Sequence, residues 1–288
     1  MLSKTNRLMT KSYSTQRLSK ITTILFDVDD TLYDVGTGFT AHRNTEGATS
    51  FMVAKLGFPT VPQAKAVRDE YFSRYHSTAK GLTVAEEEGK LPPPPPGWPE
   101  GKKQFDPKDL SQWWATNLKF ELLQGPYPHV EEMLSSCPLN LIAFSNGPRT
   151  YVLRALREMG LNQVFPPEKV FAVDDVLPHC KPEKGAFTKV LEAVGDPHPS
   201  ECIMVEDSMK NIRVAKELGM YTVLISGLNR GSGDGEDGVS QSLADAAEAT
   251  KSGDAPNKDD EAVDTCIECV ADLKNALPLL WEMGEPKI

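Results

Sequence analysis

The sequence lacks a long apolar run. Its apolar stretches, such as residues 24–26 and 223–225, are no longer than a β-strand, whereas a membrane-spanning helix needs about 18 consecutive apolar residues. We therefore expect a protein that has no membrane partner. Hydrophobic residues still make up 40% of the chain, which is ordinary for a globular protein with a buried core.

Basic residues are in the minority. The chain has 31 Lys and Arg against 41 Asp and Glu, which gives a formal net charge of −10 at pH 7. Proteins that hold nucleic acid do so by neutralising its phosphates with Lys and Arg. This balance therefore argues against a nucleic-acid partner.

Cysteines are few, and their number is odd. Five cysteines in a chain of 288 residues indicate reduced thiols, because a chain of this size needs no disulfides to hold its core together. Cys266 and Cys269 form a CxxC pair, but the sequence near them offers no second pair of ligands. We expect this segment to be a buried strand, with metal binding or redox chemistry as the alternative.

Acidic residues are absent from the first 26 positions. Residues 1–20 instead contain Lys, Arg, Ser and Thr, a composition typical of an organelle transit peptide for a mitochondrion or plastid. The alternative is a disordered basic tail of a cytoplasmic protein. Under both interpretations residues 1–20 lie outside the fold.

From residue 21 onward, short apolar runs alternate with amphipathic helical patterns. This alternation predicts an α/β fold: a Rossmann-like parallel sheet with helices on both faces, which binds its ligand at the carboxyl ends of the strands. The helical patterns stop at glycines, namely Gly160, Gly195 and Gly219. The predicted strands are 21–28, 139–144, 170–173, 202–205 and 220–225, and the predicted helices are 148–159, 182–194 and 208–218.

Two segments interrupt this alternation. Residues 38–125 have helical spacing and contain the proline run 92–96, and we expect them to form a helical cap inserted after the first strand. Residues 231–262 are acidic and nearly free of apolar side chains, which predicts a disordered loop. The predicted catalytic core then consists of residues 21–37 and 126–288.

Two aspartates lie at the end of the first predicted strand. Asp27 and Asp29 are two residues apart, so both side chains project to the same side at the carboxyl edge of the sheet. Like charges at this separation repel unless a cation or a shared proton lies between them. Mg²⁺ fits this role, because it prefers carboxylate and water oxygens together with substrate phosphate. The alternative is that such aspartates only cap a turn.

Further polar residues follow other predicted strands. Ser145 and Asn146 come after the second strand and open a helix, where backbone amides can face an anion. Lys181 follows the next strand region, and Glu206 and Asp207 end the strand at 202–205. All of these positions fall at equivalent ends of parallel strands, so we expect the side chains to converge on one crevice.

In this order, the motifs resemble those of the haloacid dehalogenase-like hydrolase superfamily. The resemblance extends over about residues 22–228, and the residues that support it are Asp27, Asp29, Thr31, Ser145, Lys181, Glu206 and Asp207. It implies that Asp27 is the nucleophile and that Asp29 is the general acid and base. Within this resemblance, Asp29 distinguishes the sequence from two other groups of the superfamily. The dehalogenases lack a carboxyl at this position, and the ion-pumping ATPases have Thr there.

The resemblance also implies a substrate site and a metal site. Ser145 and Lys181 would bind the phosphoryl group, and we expect Thr31 and Asn146 to contact the substrate as well. Mg²⁺ would be held by side chains and by the backbone carbonyl of Asp29. The implied metal residues are Asp27, Asp29, Glu206 and Asp207.

The function that follows is a Mg²⁺-dependent phosphomonoester hydrolase acting through an aspartyl phosphate on Asp27. The sequences of segments such as 144–147 and 206–212 are similar to those of the pyrimidine 5′-nucleotidase-like branch of the superfamily. This similarity implies a nucleoside 5′-monophosphate as substrate. A phosphatase or phosphomutase of another small metabolite, such as a sugar phosphate, is one alternative. A non-catalytic regulatory protein on this fold is the other, and the sequence indicates no oligomeric state.

Overall fold

The computed structural model describes residues 15–228 and 255–282. Residues 1–14, which contain most of the predicted transit segment, lie outside this described part. The same is true of residues 229–254, which contain most of the predicted acidic loop, and of residues 283–288. The expectations for those stretches therefore stay predictions.

Six parallel strands form the centre of the molecule, in the order β3-β2-β1-β4-β5-β6. The first strand lies in the middle of the sheet, as in Rossmann-like doubly wound folds, which confirms the predicted fold class. The strands are β1 (Thr23–Phe26), β2 (Asn140–Phe144), β3 (Val170–Phe171), β4 (Cys202–Glu206), β5 (Tyr221–Ile225) and β6 (Thr265–Ile267).

Helices flank this sheet. Within residues 15–228 and 255–282, no helix is long and apolar enough to cross a membrane. The described helices of eight or more residues are α1 (Ala48–Leu56), α2 (Val61–Tyr75), α3 (Thr78–Glu87), α4 (Pro107–Asn117), α5 (Pro128–Ser135), α6 (Arg149–Glu158), α7 (Lys184–Ala193) and α8 (Met209–Leu218). Single helical turns are Phe39–His42, Val173–Val176, Leu273–Ala276 and Leu279–Glu282, with a π-helical turn at Arg43–Gly47 and 3₁₀ turns at Val35–Thr37, Phe120–Leu123, Pro167–Lys169, Pro199–Glu201 and Val270–Asp272.

Alternate residues of β1 enter two different hydrophobic cores. Leu25 shares one core with Phe187 of α7, and Phe26 shares the other with Val152 of α6. Because successive side chains of a strand point to opposite faces, this arrangement shows that helices cover both faces of the sheet. The polar residues of the site are therefore left at the strand ends.

The strand register aligns those ends. Phe26 at the end of β1 is paired with Ala143 of β2 on one side and with Val205 of β4 on the other. The strands are parallel, so the residues that follow these three positions emerge at the same edge of the sheet. The chain brings its polar motifs together at this edge.

Residues 38–125, which we predict to form a cap and call the cap segment, contain α1 to α4 and contact α6 through aromatic rings. Trp114 of α4 lies edge-on to Tyr151 of α6, with ring centroids 5.6 Å apart. Phe39 stacks against the same tyrosine at 6.2 Å. Since α6 starts just after β2, these contacts hold the cap segment beside the carboxyl edge of the sheet.

Arg17 and Leu18 belong to the fold, although the sequence analysis placed residues 1–20 outside it. Leu18 is only 6% exposed and lies in the main core. The Arg17 guanidinium donates to Asp264 at 3.2 Å and to two backbone carbonyls just after α8, at 3.0 and 2.7 Å. Carbonyls at a helix end have no partner within the helix, which explains why this basic side chain is bound there.

The end of the predicted disordered loop 231–262 also needs correction. Ala262 is buried in a small apolar cluster, and its carbonyl accepts a hydrogen bond from the Thr222 hydroxyl. Asp260 forms an ion pair with an arginine of α8 at 2.9 Å. The segment leads directly into β6, so its contacts with α8 and β5 order it despite its polar composition.

Candidate active site

Asp27 is the first residue after β1, and its carboxylate is buried. Its backbone N–H still continues the sheet by donating to the Val205 carbonyl at 2.9 Å, while its Oδ1 accepts a hydrogen bond from Lys181 Nζ at 2.6 Å. Burial raises the pKa of Asp27 to about 6, Lys181 opposes that rise, and the nearby carboxylates of Asp207 and Asp29 add to it.

Lys181 has all three of its ammonium protons in hydrogen bonds. Nζ donates to Asp27 at 2.6 Å, to the Phe144 carbonyl at 2.8 Å and to Glu206 at 2.9 Å, and the side chain is 1% exposed. Burial alone would lower the pKa of Lys181, but the carboxylates of Asp27 and Glu206 raise it above its usual value. Lys181 is therefore a fixed positive charge beside Asp27.

Glu206 ends β4 and accepts hydrogen bonds on both carboxylate oxygens. Oε2 binds Lys181 Nζ and Asn211 Nδ2, each at 2.9 Å. Oε1 accepts from the backbone N–H groups of Asp207 and Ser208, each at 3.2 Å. These four donors orient the carboxylate so that it holds Lys181 in place.

Asp29 is surrounded by donors from the core and from the cap segment. Its Oδ1 accepts from the hydroxyls of Tyr33 and Tyr151, and its Oδ2 accepts from Arg43 and, at 3.4 Å, from Ser145 Oγ. Burial alone would raise the pKa of Asp29. Arg43 and the two tyrosine hydroxyls outweigh burial and hold this pKa below its usual value.

Ser145 and Asn146 follow β2 but have different partners. Ser145 is fully buried, and its Oγ accepts from the Gly147 N–H at 2.9 Å besides contacting Asp29. The Asn146 amide binds the backbone of Lys181 twice, since Nδ2 donates to its carbonyl and Oδ1 accepts from its N–H, both at 2.8 Å. Nδ2 has a second N–H, so the expected contact between Asn146 and substrate stays a prediction.

Thr31 lies in the turn next to the site. It is 2% exposed, and its hydroxyl forms no hydrogen bond with any other described residue. The residue before it, Asp30, has a φ of +56°, so the chain turns sharply after Asp29. The expected contact between Thr31 and substrate stays a prediction.

Three carboxylates form a candidate metal site. Asp27, Glu206 and Asp207 each offer one oxygen, and these oxygens all lie within 4.8 Å of one another. A donor set made only of carboxylate oxygens fits Mg²⁺. The Asp29 side chain is not part of this group because Arg43 and the tyrosines bind it.

The charges of the site also favour a divalent cation. Asp27, Glu206 and Asp207 bring their oxygens within 4.8 Å of one another, and Lys181 binds two of them, Asp27 and Glu206. Like charges held this close repel unless a cation lies between them. Mg²⁺ would offset the repulsion within this cluster.

Among the residues described around Asp29, three were missed by sequence reasoning: Tyr33, Arg43 and Tyr151. Tyr33 is four residues after Asp29, and its place in that motif was the one available signal. Arg43 comes from the cap segment and Tyr151 from α6, and no sequence spacing connects either of them to Asp29. The predicted residues that the structure joins through hydrogen bonds or the carboxylate cluster are Asp27, Asp29, Ser145, Asn146, Lys181, Glu206 and Asp207.

Solved structures share this fold. L-2-haloacid dehalogenase from Xanthobacter autotrophicus matches with 20% sequence identity and a TM-score of 0.50, covering 90% of this chain and 98% of the dehalogenase. A HAD phosphatase from Thermococcus onnurineus also matches with 20% identity and a TM-score of 0.50, covering 89% of this chain and 98% of the phosphatase. At these identities the likeness shows the fold.

The family model of the haloacid dehalogenase-like hydrolases matches residues 21–219. This range contains β1 to β4, the cap segment and every polar residue of the site described above. It covers well over half of the chain. The protein therefore belongs to the haloacid dehalogenase-like hydrolase family, and it is an enzyme of the hydrolase class.

Proposed function

We propose that this hydrolase is a Mg²⁺-dependent phosphomonoester phosphatase with Asp27 as its nucleophile. The observation that carries the proposal is the setting of Asp27: a buried carboxylate bound by Lys181 at 2.6 Å, in a cluster of three carboxylates that offers a candidate metal site. A positive charge next to a buried carboxylate suits a nucleophile that must approach an anionic phosphoryl group.

In the first step, one oxygen of Asp27 attacks phosphorus in line with the leaving oxygen, and an aspartyl phosphate forms. Lys181 holds the attacking carboxylate in position and neutralises charge on the phosphoryl oxygens. Ser145 Oγ, next to Asp29 at 3.4 Å, is the hydroxyl available to a phosphoryl oxygen. In the second step, water attacks the same phosphorus and regenerates Asp27.

Asp29 is the general acid and base of this proposal. In the substrate complex, protonated Asp29 gives its proton to the leaving oxygen, and the carboxylate that results removes a proton from the hydrolytic water. Its Oδ2 lies 3.4 Å from Ser145 Oγ, the hydroxyl that we propose binds the phosphoryl group, and a phosphoryl group bound there would be close to Asp29. The three donors that hold the carboxylate keep it oriented toward this position.

Asp27 and Asp207 are the side chains that we propose as Mg²⁺ ligands, with the backbone carbonyl of Asp29. When bound, Mg²⁺ supplies positive charge to the phosphoryl oxygens. Glu206 adds a negative charge within 4.8 Å, but its four hydrogen bonds make it first of all the residue that positions Lys181.

The substrate that we propose is a nucleoside 5′-monophosphate, on the resemblance of the motifs to the pyrimidine 5′-nucleotidase-like branch. Another small phosphorylated metabolite, such as a sugar phosphate, is the second candidate. A phosphomutase would move the phosphoryl group to a second hydroxyl instead of releasing it.

A phosphate-release assay over nucleotides, sugar phosphates and an aryl phosphate, with and without Mg²⁺, tests the proposal. We expect release that depends on Mg²⁺ and is abolished in Asp27→Asn. Asp109→Asn changes an exposed aspartate in α4 and is the matched control that keeps full activity. Wild-type protein that releases no phosphate from any substrate would contradict the proposal and favour a non-catalytic role, whereas a moved phosphoryl group would identify a mutase.

A further inference from the structure

Arg43 is a buried cation to which the proposed reaction assigns no contact with the substrate. It begins the π-helical turn Arg43–Gly47 of the cap segment, and its side chain is 9% exposed. The guanidinium carbon lies 5.5 Å from the Trp114 ring and 5.1 Å from the Tyr151 ring, so two aromatic faces hold it in one orientation. Single π-helical turns occur frequently at functional sites.

The hydrogen bonds of Arg43 are incomplete on one side. Nε donates to Asn44 Oδ1 at 3.2 Å, and Nη1 donates to Asp29 Oδ2 and to the Tyr151 hydroxyl. Nη2 forms no hydrogen bond with any residue in the described ranges, and it is not one of the fully buried unpaired atoms, so a ligand can reach it. Guanidinium groups bind anions best through two parallel N–H donors, and Nη2 is the donor left for a second acceptor.

Asp29 Oδ2 indicates where such an acceptor fits. This oxygen accepts from Arg43 Nη1 and, at 3.4 Å, from Ser145 Oγ. Two donors that meet at one anionic oxygen lie close to each other, so another anionic oxygen that binds Ser145 comes within reach of Arg43. In the proposed reaction, the group that binds Ser145 is the phosphoryl group of the substrate.

We propose that Arg43 is a further phosphoryl-binding residue, which exchanges Asp29 Oδ2 for an oxygen of the substrate phosphoryl group. The inference rests on the proposed phosphatase function. The cap segment then supplies one cation to the phosphoryl group, and the core supplies another from Lys181. A phosphoryl dianion can bind Nη1 and Nη2 together, which satisfies the donor that Asp29 leaves without a partner.

The test uses inorganic phosphate as the probe, with Mg²⁺ present. Its dissociation constant is measured by calorimetry for wild type, Arg43→Met and Arg43→Lys. The control is Arg74→Met, because Arg74 is a surface arginine of the cap segment that binds Glu88. We expect Arg43→Met to weaken phosphate binding roughly 10- to 100-fold, the usual effect of losing charge-assisted hydrogen bonds. Arg43→Lys should recover part of this loss, and Arg74→Met should equal wild type.

Steady-state kinetics give a second readout. If Arg43 binds the phosphoryl group, kcat/KM of Arg43→Met falls by a similar factor for a nucleotide and for an aryl phosphate, because both carry the same group. A loss confined to one substrate would mean that Arg43 recognises the leaving group and would overturn the inference. If Arg43→Met does not fold, a phosphate affinity of Arg43→Lys equal to wild type overturns it as well.

Wild-type measurements separate the two proposals. If the wild type hydrolyses phosphomonoesters and Arg43→Met keeps the phosphate affinity of wild type, the proposed role of Arg43 is overturned, whereas the phosphatase proposal stands. A wild type that neither binds nor releases phosphate contradicts the phosphatase proposal and this inference with it.

Discussion

The side-chain amide of Asn146 forms two hydrogen bonds with the backbone of Lys181, one to its carbonyl and one from its N–H, both at 2.8 Å. Asn146 follows Ser145, and Lys181 carries the ammonium that binds Asp27. The amide therefore ties the hydroxyl and the cation of the site into one unit. The cap segment joins this unit as well, because Ser77 Oγ donates to the Asn146 carbonyl at 3.3 Å.

Replacing Asn146 by Asp should lower kcat about 10- to 100-fold, because a small displacement of a catalytic group is costly. Aspartate cannot donate to the Lys181 carbonyl, and its charge repels that oxygen. The loop that carries Lys181 then shifts relative to Asp27. The reduction should be seen in kcat with an aryl phosphate, with little change in the melting temperature.

Asn162→Asp is the control for this variant, because Asn162 is exposed and its substitution introduces the same charge away from the site. Its kcat should equal that of wild type. An Asn146→Asp variant with wild-type kcat would mean that Lys181 is held adequately by Asp27, Glu206 and the Phe144 carbonyl alone.

Mg²⁺ affinity should depend on pH through Asp27. Burial raises the pKa of Asp27 to about 6, so below this pH the free carboxyl is mostly protonated. Metal ligands must be deprotonated, and Mg²⁺ therefore has to displace this proton. We expect the Mg²⁺ dissociation constant to rise about tenfold for each pH unit below 6 and to level off above about 7. Calorimetry at pH 5, 6 and 7.5 measures this dependence.

Proton release provides the check on that prediction. Calorimetry at pH 6 in two buffers of different ionisation enthalpy should show protons leaving as Mg²⁺ binds to wild type. Asp27→Asn should show no such release. An equally steep pH dependence in Asp27→Asn would assign the titration to another group of the site.

The sequence was sufficient to predict the sheet and the meeting of its polar ends. Asp27, Ser145 and Glu206 each come directly after or at the end of an apolar run, and the ends of parallel strands must meet at one edge. This inference needs the order of strand and helix along the chain and no knowledge of side-chain packing. The same reasoning could not predict the contact between Arg43 and Asp29. That contact depends on the π-helical turn and on how the cap segment packs against Tyr151.

Side-chain partners were harder to predict than positions. Asn146 was placed correctly after β2, but its amide binds the backbone of Lys181, which arrives from a distant part of the chain. Arg17 likewise belongs to a segment whose composition resembles a targeting peptide. Its role depends on carbonyls and on Asp264, which only the folded chain brings to it.

Truncation should separate the two parts of the N-terminal segment. Removing residues 1–14 keeps Arg17 and Leu18 with the contacts described above, so we expect an unchanged free energy of unfolding. Removing residues 1–20 loses the buried Leu18 and the hydrogen bonds of Arg17, which should cost about 2–4 kcal/mol. Urea unfolding of both truncated proteins measures the difference. Equal stability of the two would show that Arg17 and Leu18 contribute little.

The two proposed roles of Asp29 respond differently to the leaving group. As an acid, Asp29 assists a poor leaving group such as the 5′-oxygen of a ribose, whereas an aryl oxide leaves with little protonation. As a base, it assists the attack of water on the aspartyl phosphate, which is the same intermediate for every substrate. Each role is typically worth on the order of 10² to 10⁴ in rate.

Asp29→Asn should therefore slow the phosphorylation of Asp27 by a nucleotide much more than by an aryl phosphate, while dephosphorylation slows for both. With an aryl phosphate, the variant should release a burst of phenol and accumulate a hydroxylamine-labile phosphoenzyme, measured by rapid quench with labelled substrate. Asp27→Asn should give neither burst nor label. Asp29→Asn also removes the charge that binds Arg43, so Arg43→Met is assayed as a control. Arg43→Met should show no trapped intermediate, because Asp29 can still activate water. Equal slowing of Asp29→Asn with both substrates and no phosphoenzyme would rule out the double role of Asp29.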